Sequence, residues 1–402
     1  MEGLHVLDYP NELNEIFDKF KEFDIRPVLV GGYVRDYIIN SNLNTKYFLT
    51  KDIDIELYNA PSFEKIEKIL SEFGNPNYIG KNFGVIKLKL DNLEIDFSMP
   101  RTENKISSGH KGFKVETDSK LSFKTAASRR DFTINAIGYD IFSKKLLDPY
   151  DGIKDLKNKK LKMVNKHSFV EDPLRVLRAM QFCARFELKP NKKLVYYCYN
   201  MCHNKLLDEL PKERIYEEFK KLFLRSNKPS IGLEFLKHSD ALVFFSELYM
   251  SKDDWIKILK YIDNVDKTKL SNENIVIVML AILCYKMDKA NIESFINKLT
   301  DQRSILRIID SLYHIDNFIN GLSSKTTKNI SIKYAVAKDI DIDILMTYLS
   351  AKETPRNILE KVYKIKPIVA GKDLIDVGLR ESQNFNSLLQ SIYDIQLKKL
   401  FT

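Results

Sequence analysis

Leu29-Val30-Gly31-Gly32-Tyr33-Val34-Arg35-Asp36, followed shortly by Lys51-Asp52-Ile53-Asp54-Ile55-Glu56, decides how the rest of this chain is read. The apolar run Pro27 to Val30 has the pattern of a buried strand, and the two glycines after it let the backbone turn sharply and approach a ligand closely. Tyr33 to Asn40 then reads as a helix. Strand, glycine pair and helix N-terminus in that order aim backbone N–H groups and the positive end of the helix dipole at one spot. That suits a phosphate, and Arg35 adds a fork of donors beside it. In a strand from Lys51 to Tyr58, residues two apart share a face, so Asp52 and Asp54 project together while Ile53 and Ile55 enter the core. Two hard carboxylates side by side suit Mg²⁺, which takes one or two carboxylates plus substrate phosphate oxygens. Anion cradle and carboxylate pair are the working parts of phosphoryl or nucleotidyl transfer.

The chain contains its own control. Lys51-Asp52-Ile53-Asp54-Ile55 recurs letter for letter as Lys338-Asp339-Ile340-Asp341-Ile342, without a Gly-Gly pair upstream or matching partners downstream. An Asp-x-Asp alone is a weak signal, since most copies are a solvated strand edge or a helix cap. Only the conjunction with Gly31, Gly32 and Arg35 lifts the first copy.

With 402 residues, about two to four structural units are expected. The net charge of +9, from 64 Lys and Arg against 55 acidic residues, favours an anionic partner such as nucleic acid, although a lysine-rich proteome would give the same balance. Cys183, Cys198, Cys202 and Cys284 show no zinc spacing and read as buried thiols of a reducing cytoplasm. No signal sequence opens the chain, and the longest apolar run, Ile275 to Tyr285, is too short to span a bilayer, so it reads as a core helix and no membrane partner is expected.

Along the chain, Asn11 to Phe23 and Ser62 to Phe73 read as amphipathic helices. Tyr78 to Ile79, Val85 to Leu90 and Leu93 to Met99 alternate as half-buried strands. The last carries Glu94 and Asp96 on one face, and either could be a third carboxylate beside Asp52 and Asp54. Arg101 to Thr125, with His110, reads as a mobile loop. Arg129-Arg130-Asp131-Phe132-Thr133-Ile134-Asn135-Ala136 reads as paired arginines leading into an alternating strand, where triphosphate oxygens and a ribose hydroxyl could be held. After Asp148-Pro149-Tyr150-Asp151-Gly152 strands vanish and helices are expected almost to the end. Asp172-Pro173 announces one helix, with Asp172, Arg175 and Arg178 at i, i+3 spacing. A carboxylate acceptor and a guanidinium donor one turn apart match the pairing edges of cytosine and adenine and clash with those of uracil and guanine. An Asp before Pro at a helix start is also an ordinary N-cap.

Taken together, these motifs resemble the class II tRNA nucleotidyltransferase and poly(A) polymerase family, most of all its CCA-adding members. The resemblance covers Val30 to about Leu236 well and the C-terminal third faintly. It implies an α+β fold: a polymerase-beta-like mixed-sheet head over residues 1–150, a helical neck over 151–226, a helical body over 227–325 and a tail over 326–402. It also implies addition of CMP and AMP from CTP and ATP to the 3′ end of tRNA, with contacts to the acceptor arm, Mg²⁺ as cofactor and no protein partner. Gly31, Gly32 and Arg35 would contact the triphosphate, Asp52 and Asp54 would hold metal, and Asp96 would be the third carboxylate. Arg130 and Asp131 would contact the nucleotide, and Asp172, Arg175 and Arg178 would lie on the nucleotide-reading helix. Gln181 departs from the family, standing where many relatives have arginine. Tyr285-Lys286 occupies the His-Asp place of a hydrolase domain that some relatives carry, and neither side chain would hold a metal there. A poly(A) or A-adding polymerase, or a non-catalytic RNA-binding protein, are the alternatives.

Overall fold

The hydrophobic alternation of the first hundred residues closes into one sheet. In this computed structural model, residues 7–43, 52–79, 84–91, 93–105, 113–320, 340–353, 367–379 and 384–401 are described. Lys51, His110, Lys338, Asp339 and the expected helices at 334–337 and 354–365 lie outside them.

Strand β1 (Arg26–Val30) runs antiparallel to β2 (Asp52–Tyr58), with Val30 opposite Asp54. The strands β3 (Asn77–Ile79), β4 (Val85–Leu90) and β5 (Leu93–Ser98) follow as a meander, and β5 lies parallel to β2 on its other side. The hairpin β6 (Arg101–Lys105) and β7 (Phe113–Thr117) forms a sheet of its own. β8 (Gly138–Asp140) and β9 (Lys145–Leu147) complete a seven-stranded mixed sheet in the order β3-β4-β5-β2-β1-β8-β9. One face is packed by helices. Phe20 of α1 (Asn14–Glu22) meets Phe97 of β5 edge-to-face, with ring centroids 5.9 Å apart, and Ile66, Ile69 and Leu70 of α3 (Phe63–Leu70) are buried with Ile53, Ile55 and Leu57. Between β1 and β2 lies α2 (Gly32–Leu43).

Two stretches differ from the reading of the sequence. The expected loop at Arg101 to Thr125 contains the β6–β7 hairpin and then α4 (Phe123–Ala127), which Ser122 caps by accepting from Thr125 N at 3.1 Å. The expected strand at Asp131 to Ala136 is a single 3₁₀ turn, Thr133–Asn135. Its alternation is real burial without a ladder. The Asp131 carboxylate accepts from the Phe132 N–H at 2.7 Å and from Asn135 Nδ2 at 2.9 Å, a local bonding pattern that competes with strand pairing.

Helices α5 (Gly152–Lys157), α6 (Lys166–Glu171), α7 (Leu174–Arg185) and α8 (Lys192–His203) come next, joined by the two-residue pair β10 (Lys160–Leu161) and β11 (Lys189–Pro190). The contacts divide the chain into two compact units, Met1–Pro211 with Phe235–Phe244, and Lys212–Glu234 with Phe245–Thr402. The boundaries drawn from sequence after residues 150, 226 and 325 therefore fall within one unit or the other. The second unit is helical wherever it has regular structure among the described residues, and its core includes Phe219, Phe245 and Phe295 in mutual edge-on contact. Ile275 to Leu283 are all buried in one of its helices, and no helix of the described residues is long and apolar enough to cross a membrane. Lys286 pairs with Asp254 at 3.9 Å, and Lys352 lies 3.8 Å from the Tyr285 ring centroid. All four cysteines are buried and free.

Candidate active site

Gly31 sets the geometry. It closes β1 with φ of +74°, a left-handed value that side chains rarely adopt, and a Cβ placed there would stand 3.0 Å from Asp54 Oδ2 and 3.5 Å from Arg130 Nη1. Glycine is thus required twice, by the turn and by the side chains that crowd it. The turn leads into the first N–H groups of α2 beginning at Gly32, where an α-helix leaves donors without intrahelical partners.

On β2, Asp52 and Asp54 are exposed while Ile53 and Ile55 are buried, as the alternation demands. The register with β5 sets Asp96 beside Asp54 and Glu94 beside Asp52. Parallel neighbours in register point to the same face, so four carboxylates share this surface. Desolvation pushes the Asp54 pKa up against the pull of Arg130, and the charges of Asp96, Asp52 and Glu56 add to the rise. Lys87 Nζ lies 3.3 Å from Asp96. Among the described residues no group of three or more His, Cys, Asp and Glu side chains is arranged to hold a metal by itself. The donor set still fits a hard divalent ion that takes only one or two carboxylates from protein, and the crowding around Asp54 is what such a charge relieves.

Sequence reasoning did not single out Glu56, the next residue on this strand face. It is 1 % exposed. Its Oε1 accepts from Arg130 Nη2 at 2.8 Å and Arg129 Nη2 at 3.1 Å, and its Oε2 accepts from the Tyr58 hydroxyl at 2.9 Å. Burial would raise the Glu56 pKa, but Arg130 and Arg129 outweigh it and hold the group below the usual carboxylate range. The signal was present in the period-2 pattern of Asp52, Asp54 and Glu56.

The remaining expected residues are buried or half-buried polar side chains of the same unit. Arg35 is 4 % exposed, donates to Asp36 Oδ1 and Asn135 Oδ1, and lies against the Phe182 and Phe186 rings. Its fork, expected from sequence beside the phosphate spot, bonds to Asp36 and Asn135. Arg185 reaches Asp36 Oδ2 at 3.3 Å. Asp131 Oδ2 accepts from Arg178 Nε at 2.7 Å. Desolvation works against the Asp131 charge, yet Arg178, Arg175 and Asn135 together lower its pKa. Arg175 donates to two main-chain carbonyls, Ser168 at 2.8 Å and Arg129 at 2.7 Å. Asp172 accepts from Leu174 N at 3.2 Å, a capping contact. Asp148 accepts from Gly152 N and Ile153 N at 2.7 and 2.9 Å, and a Cβ on Gly152 would meet the Thr133 carbonyl at 2.2 Å.

Residues 28–162 match the family described as Poly A polymerase head domain. Over 219 residues the chain is 33 % identical to the Multifunctional CCA protein of Xanthomonas campestris pv. campestris, a match that covers 53 % of this chain and 49 % of that protein. The chain thus spans about half the length of such curated relatives. A CCA-adding enzyme of Blochmanniella floridana is 29 % identical over 371 residues, covering 85 % of this chain and 83 % of its own. Among solved structures, a CCA-adding enzyme with ATP has a TM-score of 0.73 at 20 % identity, covering 98 % of this chain and 93 % of its own. The Thermotoga maritima CCA-adding enzyme complexed with tRNA has a TM-score of 0.71 at 20 % identity, with the same coverage. These two likenesses are of fold.

Proposed function

We propose that the chain is a member of the tRNA nucleotidyltransferase and poly(A) polymerase family, whose head-domain model matches residues 28–162, and that it adds CMP and AMP from CTP and ATP to the 3′ end of tRNA. The observation that carries this reading is the junction at the end of β1: Gly31 at φ +74°, with Asp54 and Arg130 packed against it, and Asp96 in register beside Asp54. A phosphate cradle and a carboxylate pair meet there.

The family works with divalent metal ions, and here we take the ion to be Mg²⁺ held by Asp52 and Asp54. Once bound, the metal supplies acidity to the attacking 3′-hydroxyl and neutralises charge on the leaving pyrophosphate. The chain's own groups do the rest. Gly31 and Gly32 let the triphosphate approach the backbone and the first N–H groups of α2. Asp96 adds negative charge beside Asp54, which strengthens its hold on a cation. Arg130 offers donors to the nucleotide, and Asp131, fixed by Arg178, is the acceptor for a ribose hydroxyl. Arg35 serves as a positioning residue that ties α2 to Asn135. Base selection rests on Asp172 and Arg175, and requires Arg175 to exchange its carbonyl partners for the base edge. Residues 1–150, 151–226, 227–325 and 326–402 serve as head, neck, body and tail, with the acceptor arm of tRNA as partner and the cytoplasm as location.

Incubating the full chain with tRNA transcripts lacking one, two or three terminal nucleotides, with each nucleoside triphosphate alone and in combination, tests the reading. Ordered incorporation of C, C and A is expected. Incorporation of A alone, or of long A tracts, would assign one of the related polymerase activities instead, and no incorporation would overturn the reading.

A further inference from the structure

Arg130 lies near two carboxylates, Asp54 and Glu56, and among the described residues its ion pair is with Glu56. Its Nη1 and the Asp54 Oδ2 flank the same point beside Gly31, at 3.5 and 3.0 Å, yet its ion pair is with Glu56, at 2.8 Å. Glu56 gives one oxygen to both Arg130 and Arg129 and the other to the Tyr58 hydroxyl. Asn135 O accepts from Arg130 Nη1 at 3.2 Å and fixes the plane of the guanidinium.

We propose that Glu56 is a positioning residue that competes with Asp54 for Arg130 and thereby leaves the Asp54 carboxylate available to a divalent cation. This rests on the reading of Asp52 and Asp54 as metal ligands. The three acidic residues of β2 divide the work: Asp52 and Asp54 face outward, while Glu56, one step further into the fold, absorbs the cation that would otherwise neutralise the site. A buried guanidinium that loses its carboxylate turns to the nearest remaining one, since leaving it unpaired costs more than moving it. Without Glu56, that nearest group is Asp54. A bound arginine and a bound metal exclude one another on the same oxygens, so cation affinity falls.

The test is Mn²⁺ binding to the full chain, followed by loss of the free-ion EPR signal in the absence of nucleotide and tRNA. Glu56→Gln keeps the shape and the Tyr58 contact but removes the charge. Its Mn²⁺ affinity is expected to fall roughly tenfold or more, the size by which one contacting opposite charge biases a carboxylate. The double variant Glu56→Gln with Arg130→Gln is expected to regain the wild-type affinity, because the competing cation is gone; a merely structural Glu56 would give no such rescue. Unchanged Mn²⁺ affinity in a folded Glu56→Gln chain, or affinity tenfold below wild type in the double variant, overturns the proposal. Should the single variant fail to fold, the double variant alone decides. Nucleotide incorporation by wild type, measured alongside, tests the underlying reading separately: a chain that binds Mn²⁺ and adds no nucleotide would end that reading and leave the behaviour of Glu56 intact.

Discussion

One pentapeptide occurs twice in this chain, at 51–55 and at 338–342, and its described residues meet opposite fates. In the first copy Asp52 to Ile55 form a strand between β1 and β5, with Asp54 beside the glycine turn. In the second, Asp341 accepts from Asp343 N at 2.7 Å and caps the helix Ile342–Ala351. The same carboxylate is a candidate metal ligand in one place and a helix cap in the other. What differs is the surroundings: the first copy takes its meaning from residues far away in sequence, the second from its own next turn.

If so, damage remote from Asp54 should disable the first copy and spare the second. The largest effect is expected from Gly152→Ala, whose new methyl would collide with the Thr133 carbonyl at 2.2 Å. A loss of about 3 kcal/mol or more, measured by denaturant titration, is expected because backbone cannot give way there as a side chain can. Next comes Gly31→Ala. With φ at +74° and Asp54 Oδ2 at 3.0 Å from the added Cβ, incorporation should fall by roughly 10²-fold through misplacement alone. Steady-state kinetics would show the loss mainly in kcat, and an unaffected kcat would detach the glycine turn from the chemistry.

The Asp131 lattice gives a smaller, pH-dependent effect. Its folded pKa is depressed, so the stabilisation it contributes is present above the unfolded value near ~4 and is lost as pH falls through the folded one. Wild-type stability should therefore decline in acid below ~4, and Asp131→Asn should flatten that decline while weakening the fold at neutral pH. Equal acid sensitivity in both proteins would show that other carboxylates carry it. The smallest effect belongs to Asp341→Ala, which removes a cap and should cost ~1 kcal/mol, read as a modest drop in Tm.

What could be read from the sequence follows the same division. The alternation of Asp52, Ile53, Asp54 and Ile55 fixes which side chains face solvent, because a strand has a period of two wherever it lies. The Ile275 run and the Asp172-Pro173 start were legible for the same local reason. The neighbours of Glu94 and Asp96 were not, since both alternate correctly and only the β2–β5 register sets Asp96 beside Asp54 and Glu94 beside Asp52. The Asp131 to Ala136 turn was misread because a buried, alternating sequence looks like a strand until the Asp131 side chain is seen bonding to its own Phe132 N–H and to Asn135. The enclosure of Arg35 by Phe182, Phe186 and Asn135 was not legible, because nothing local in the sequence reveals it.

The most direct test sets the two copies against each other in one assay: CMP and AMP incorporation into tRNA lacking its three terminal nucleotides, by Asp54→Ala and by Asp341→Ala, each confirmed folded by circular dichroism. The account predicts a loss of at least about 10³-fold for Asp54→Ala and wild-type turnover for Asp341→Ala. Wild-type-like turnover in Asp54→Ala, or an equal loss in both variants, would contradict it.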